Sequence, residues 1–283
     1  MFDAGKEFGF FQVVNHGVSE QVLRDMEVVC EEFLQLPAED KAHLYSDDNK
    51  KLNRLFSGST FKTGSFWMDC LRLACTFLGL ADSGNEWPEK PKRFREVFQK
   101  FVTQARDMGL EILQLLCEGL GSRLATLKGN KPMAMCLSVP SSVPECKHNT
   151  WPTASLREEP DHHVLSGTVP GLEVFYNGDW LKVEPVRNAF VINFGIQLEV
   201  VTNGIIKSAE HRVLTNAALP QTSVVTSLMA NDDYVIGPAE ELLSEDNPAR
   251  YRNTMFRDFM RLYNKALEES GGDVKQAIKY FKI

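Results

Sequence analysis

The sequence has no surplus of positive charge, no long apolar run and no closely spaced cysteine pair, and each absence excludes a class of function. Lys and Arg total 31 against 38 Asp and Glu, giving a net charge of −7. Nucleic acid and anionic membrane surfaces are therefore poor partners. Apolar runs such as Ala189–Asn193 fall far short of the roughly 20 residues that a membrane helix requires. No charged-then-apolar signal peptide opens the chain. The six cysteines, at 30, 70, 75, 117, 136 and 146, are scattered, and none forms a Cys-x-x-Cys pair. That pattern is expected of reduced thiols in a cytoplasmic protein. There is no internal repeat and no low-complexity linker. What is present is a chain of 283 residues, 43% of them hydrophobic, enough to bury a sizeable core in one large or two small domains.

The N-terminal half reads mostly as helix. Ser19 can cap a helix whose apolar positions Val22, Met26, Val29, Cys30 and Phe33 recur at three- and four-residue steps. Pro37 stops it and opens a second short helix. After Pro91, the positions Phe94, Val97, Phe98, Phe101, Ala105, Met108, Ile112 and Leu116 fall on one face of a long helix, with Gly119 and Gly121 at its end.

The pattern changes near residue 165. Gly171–Val183 alternates around Asn177-Gly178, a strong hairpin signal. Phe190–Phe194, Leu198–Thr202 and Ser223–Met229 read as further strands, and Asn203-Gly204 as another turn. Short strands separated by turns suggest a barrel or jelly roll. Helix returns after Asn247-Pro248, with Tyr251, Met255, Phe259 and Leu262 on one face. Residues 122–164 fit neither pattern. They are rich in Pro, Ser, His and Glu, and so long a structureless stretch is unusual inside a compact domain.

His211 stands in Lys207-Ser208-Ala209-Glu210-His211-Arg212-Val213, directly after the Asn203-Gly204 turn. A lone histidine is more often structural than a ligand. The surrounding residues change that balance, because here the chain resembles the plant 2-oxoglutarate-dependent dioxygenases. AGKEFGFFQVVNHGV (4–18), FSGSTF (56–61) and EWPEKP (86–91) resemble the family's N-terminal half. VPGLEVFYNGDWLKVEP, VINFG, TNGIIKSAEHRV and the TSV at 222–224 resemble its β-helix core. Within the family, the chain is most similar to the deoxymugineic-acid and hyoscyamine hydroxylase-like members.

The resemblance implies an α+β fold, with a double-stranded β-helix (jelly-roll) core, a helical N-terminal region and C-terminal helices. It implies Fe(II) as cofactor, 2-oxoglutarate as cosubstrate, ascorbate as auxiliary reductant, and oxidation (hydroxylation) of a small plant metabolite. In such enzymes a His-x-Asp and a distal His hold the iron and leave positions open, and an Arg-x-Ser grips the distal carboxylate of 2-oxoglutarate. His211 matches the distal histidine, and Ser223 matches the serine. The arginine position is Gln221. A neutral amide can hydrogen-bond a carboxylate but brings no charge, a loss on the order of 1–3 kcal/mol. The His-x-Asp itself is missing. His148-Asn149-Thr150 has no carboxylate, and Asp161-His162-His163 has the ligand types in the wrong order. Asn15-His16-Gly17 reads as a turn, Trp180 and Phe190 as core, and Lys207 and Arg212 as surface or structural charges.

A shifted reading frame would explain the aberrant stretch. Read one nucleotide later, the codons permitted for Ser141–His163 can spell P-P-C-P-N-A-S-I-T-L-G-L-P-x-H. That string resembles the family's PPCP…LGLPxH run, which ends on the first iron-binding histidine. Trp151-Pro152 must be TGG-CCN, which gives glycine at the required place. Position 157 in that frame cannot be Asp, and Glu is its nearest option. The sequence therefore divides into a mostly helical region at 1–121, an aberrant and out-of-frame segment at 122–164, and the oxygenase core with C-terminal helices at 165–283. Met1-Phe2-Asp3 looks like an internal start relative to the family. Activity is expected to be impaired. The alternative reading is an inactive pseudoenzyme or degenerate gene product that at most binds a small molecule. The expected partner is a small molecule, and the expected state is a monomer.

Overall fold

The computed structural model describes residues 1–48, 51, 53–57, 68–76, 86–121, 134–142, 162–166, 171–214, 221–270 and 274–283. Helix α1 (Phe2–Glu7) leads into strand β1 (Phe10–Val13). Helix α2 (Glu20–Leu34) follows, and buries Leu23, Met26, Val29, Cys30 and Phe33. Val22, expected on that face, packs at its margin. Ser19 sits at the N-cap, but its side chain makes no capping bond; its backbone N–H donates to Gln104 Oε1 at 2.8 Å. Pro37 precedes the short α3 (Ala38–Lys41), as expected. Helix α4 (Phe94–Gly119) buries the whole apolar face read from the sequence, and Gly121 beyond it takes a φ of 65°. Helices α2 and α4 pack on each other in the largest core, where burial of each Leu, Val, Met or Phe contributes about 1.5–3 kcal/mol.

The remaining strands are β2 (Arg54–Ser57), β3 (Met68–Thr76), β4 (Ala134–Ser142), β5 (His162–Ser166), β6 (Leu172–Tyr176), β7 (Asp179–Lys182), β8 (Phe190–Asn193), β9 (His211–Val213), β10 (Gln221–Met229), β11 (Val235–Ile236) and β12 (Thr254–Met255). Seven of the strands form one antiparallel sheet in the order β1-β8-β5-β10-β4-β3-β2, and β7-β6-β9 form a second. Side chains alternate faces along a strand. Leu71, Leu73, Phe190, Ile192 and Val224 lie on one face of the large sheet, in the core with the helices. Val191, with Val225 beside it, packs from the other face against Val174 and Val183 of the small sheet. The large sheet is thus sandwiched between the helical layer and the small sheet.

The hairpin at Asn177-Gly178 forms as expected, with φ of 51° and 96° and Tyr176 opposite Asp179. Three expectations need correction. Leu198–Thr202 is not a strand but lies in helix α5 (Ile196–Val201), closed by Thr202 Oγ1 donating to the Leu198 carbonyl at 2.8 Å. Ile196, Gln197, Leu198, Val200 and Val201 are all buried there, and a short helix buried on every side carries no periodicity to distinguish it from a strand. The C-terminal helix α6 (Phe256–Ser270) starts later than expected. Met255 belongs to β12, and Tyr251 bridges to Lys282 beside the last helix α7 (Val274–Lys279). The stretch 122–164 is not uniformly irregular either. It contributes β4, and β5 begins within it, each strand held by partners on both sides. The helical N-terminal region also supplies three strands to the large sheet.

Candidate functional site

His211 opens β9 opposite Val174, so its side chain shares the face that packs toward the large sheet. The segment before it is pinned at successive residues. The Lys207 N–H donates to the Gly5 carbonyl at 3.1 Å. The Ser208 N–H donates to Glu199 Oε2 at 2.9 Å, and Tyr251 Oη donates to the other oxygen of that carboxylate at 2.7 Å. Gly9 closes the gap from behind. A Cβ there would lie 2.6 Å from the Lys207 carbonyl and 2.9 Å from Ala209 N, and its φ is +73°. Only glycine accepts both constraints.

A backbone acceptor helps to orient the imidazole. His211 Nδ1 lies 3.1 Å from the Ala209 carbonyl. A carbonyl only accepts, so Nδ1 carries the proton and the neutral ring keeps its lone pair on Nε2. This is the tautomer of a metal-ligating histidine. Burial pushes its pKa below the ordinary imidazole value, partly opposed by the Ala209 hydrogen bond and by Glu210.

The next residue faces the other way. Arg212 Nε and Nη2 meet Glu173 Oε2 at 2.7 and 2.6 Å, and its guanidinium lies 4.1 Å over the Trp180 ring. Arg212 is a structural charge, as expected, and Trp180 is its platform. His16 is equally structural. Its Nδ1 accepts from the Val18 N–H at 3.2 Å, which leaves Nε2 to donate to the Asn188 carbonyl at 2.8 Å.

Ser223 lies on β10 opposite Ser166, two residues before Val225 and on the same face. It therefore looks toward the small sheet that carries His211. Gln221 holds the first position of β10, opposite Ser142. His162 and His163 occupy β5 opposite Asn193 and Ile192, while His148 and Asp161 lie outside the described residues. Sequence reasoning did not single out Asn193, which ends β8 and is 1% exposed. A single polar residue inside the apolar run Phe190–Phe194 was the available signal. Among the described residues no group of three or more His, Cys, Asp or Glu converges to hold a metal ion.

Residues 138–229 match the 2OG-Fe(II) oxygenase superfamily, and residues 1–91 match the N-terminal family described as non-haem dioxygenase in morphine synthesis. The chain is 54% identical to 2'-deoxymugineic-acid 2'-dioxygenase of Hordeum vulgare over 272 residues, which cover 93% of this chain and 79% of that one. It belongs to the plant 2-oxoglutarate- and iron(II)-dependent dioxygenases. Hyoscyamine 6-dioxygenase of Hyoscyamus niger is 30% identical over 298 residues, covering 99% of this chain and 84% of that one. Among solved structures, JOX2 in complex with 2OG, Fe and JA superposes with a TM-score of 0.85 at 26% identity, covering 99% of this chain and 84% of that one.

Iron(II) and 2-oxoglutarate are the cofactor and cosubstrate of this family. The donor set of this chain fits them incompletely. His211 carries its proton on Nδ1, the tautomer of a metal-ligating histidine. None of the six histidines is followed two residues later by Asp or Glu, and the position expected to hold a guanidinium is Gln221. His211 by itself is a poor hold for a labile ferrous ion.

Proposed function

We propose that this polypeptide is a 2-oxoglutarate oxygenase scaffold with an impaired iron centre, descended from enzymes that hydroxylate a small plant metabolite of the deoxymugineic-acid kind. One observation carries the reading: His211 is set in a ligand's tautomer, while no His-x-Asp or His-x-Glu exists in the chain to complete the site. In this reading the two sheets are the double-stranded β-helix. His211 is the surviving iron ligand, and Ser223 with Gln221 is the weakened seat of the distal carboxylate of 2-oxoglutarate. The regions 1–121, 122–164 and 165–283 are then the N-terminal layer, the segment altered by a shift of frame, and the oxygenase core. Cys30 and Cys75 are free and buried, which supports a reducing, cytoplasmic setting.

The test is iron(II) titration with 2-oxoglutarate decarboxylation measured on the full chain, alongside the transcript sequence across residues 120–170. The expected result is decarboxylation no faster than the protein-free blank, and a +1 frame that spells a PPCP…LGLPxH-like string. Stoichiometric iron binding with turnover in the ordinary enzyme range, about 1–1000 per second, overturns the reading. A transcript that restores His-x-Asp or His-x-Glu in frame moves the activity to the corrected protein.

A further inference from the structure

The sequence holds two Asn-Gly pairs, and the fold treats them in opposite ways. An asparagine before glycine is prone to cyclise, because glycine has no side chain to screen its backbone nitrogen from the preceding carboxamide. Asn203-Gly204 is locked. Asn203 is 1% exposed; its Nδ2 donates to Asn247 Oδ1 at 3.2 Å and to the Pro248 carbonyl at 3.0 Å, and its Oδ1 accepts from the Arg250 N–H at 2.8 Å. The Gly204 N–H is engaged as well, donating to the Glu199 carbonyl at 2.8 Å, and Tyr251 Oη stands 3.6 Å from the place of a Gly204 Cβ. Asn177-Gly178 is open. Both residues are exposed at the tip of the β6–β7 hairpin, and no described atom lies within 4 Å of the place of a Gly178 Cβ. The Asn177 side chain hydrogen-bonds to the Tyr176 hydroxyl, which itself donates to Glu7 Oε1 at 2.8 Å. That hydroxyl has a single proton, so Asn177 is the donor, through Nδ2.

We propose that Asn177-Gly178 is a self-modification site, converted with age to aspartate and isoaspartate, and that the change loosens the hairpin. The Gly178 nitrogen attacks Asn177 Cγ, and a Cγ–N bond forms as the Cγ–Nδ2 bond breaks. The proton of the Gly178 N–H leaves with Nδ2, which departs as ammonia. Water, the only co-reactant, then opens the succinimide ring at one of its two carbonyls. Opening at Cγ leaves a normal backbone with aspartate at 177. Opening at the main-chain carbonyl routes the backbone through Cβ and Cγ, as isoaspartate. Ring closure requires the peptide to rotate out of its turn geometry, and exposed loop tips open at the low end of the stability range. At Asn203 the same rotation first breaks the bonds of the carboxamide and of the Gly204 N–H. Both products put a carboxylate where an amide donated to the Tyr176 hydroxyl, and that carboxylate repels Glu7, which holds the same hydroxyl. Isoaspartate also lengthens a two-residue turn whose length sets the register of Tyr176 with Asp179 and of Phe175 with Trp180. Trp180 is the platform of Arg212, so the change reaches the strand that carries His211.

The experiment is prolonged incubation of the full chain at pH 8, folded and in urea, followed by peptide mass spectrometry that scores the amide-to-acid mass gain at each pair. Resistance to the protease Asp-N separates isoaspartate from aspartate. In the folded chain Asn177 is expected to convert faster than Asn203 by a factor on the order of ten or more. In urea the two rates are expected to converge, because the bonds that guard Asn203 are gone. A folded chain in which Asn177 stays intact, or converts no faster than Asn203, overturns the proposal. So does a rate difference that persists in urea, since the selectivity then belongs to the neighbouring residues and not to the fold. Asn177→Gln closes a six-membered ring far more slowly, and is expected to show no gain at that site and to melt after ageing as it does when fresh. Aged wild type is expected to melt lower than fresh wild type. Equal melting after full conversion at 177 overturns the loosening of the hairpin.

Discussion

Arg212 lies beside the candidate metal ligand, and its replacement by methionine tests whether an ion pair holds β9 in place. The pair is close, at 2.6 Å, and its two side chains are 22% and 7% exposed for Arg212 and Glu173. Arg212→Met keeps an unbranched side chain of similar length but leaves the Glu173 carboxylate buried and uncompensated. Removing one partner from a buried pair costs about 3–5 kcal/mol. The partial exposure of the guanidinium favours the lower end, and loss of its cation–π contact at 4.1 Å adds about 0.5–1 kcal/mol. The expected destabilisation is about 3–4 kcal/mol. Glu173→Gln in the same background removes the stranded charge and is expected to restore roughly half of it, which gives a double-mutant coupling of about 2 kcal/mol. Equilibrium urea unfolding of the four proteins at pH 7 measures both quantities. A single variant within 1 kcal/mol of wild type, or a cycle that closes with no coupling, would refute the idea that this pair anchors the strand.

Gly9→Ala should cost more than about 2 kcal/mol, because it combines a positive φ with a Cβ 2.6 Å from the Lys207 carbonyl; urea unfolding checks this, and a neutral effect would mean that the segment leading to His211 shifts freely. His211 has a folded-state pKa below its unfolded value of about 6.5. Its contribution is therefore fully present above pH 6.5 or so and lost as pH falls through the folded value, and His211→Gln should flatten the slope of unfolding free energy between about pH 7.5 and 5. Burial pushes the Cys75 thiol up to about 12. Its stabilising contribution persists below an unfolded pKa of about 8.5 and disappears as pH rises toward the folded value. Iodoacetamide at pH 8 should spare Cys75 in the folded protein and modify it in urea, and labelling within minutes without denaturant would show that the strand opens.

Local patterns were enough for the elements whose chemistry is local. The apolar stripes of α2 and α4, the stop at Pro37 and the Asn177-Gly178 hairpin all follow from residues a few positions apart. The family likewise follows from ordered segments between residues 4 and 224, and the incomplete donor set from the absence of any His-x-Asp or His-x-Glu. The sequence also marks His211, Ser223 and Gln221 as the positions to watch. Tertiary structure decided what depends on distant partners. Strands β4 and β5 lie where no periodicity is visible, because ladder bonds from β3, β10 and β8 satisfy their backbones. Residues 196–201 coil into a helix because they are enclosed on nearly every side, which erases the pattern that would distinguish helix from strand. The tautomer of His211 is set by the Ala209 carbonyl, and the role of Arg212 by Glu173, 39 residues away. Asn193 stands out in the sequence only as a polar residue in an apolar run; that its carboxamide is buried without a hydrogen-bond partner is a consequence of tertiary packing.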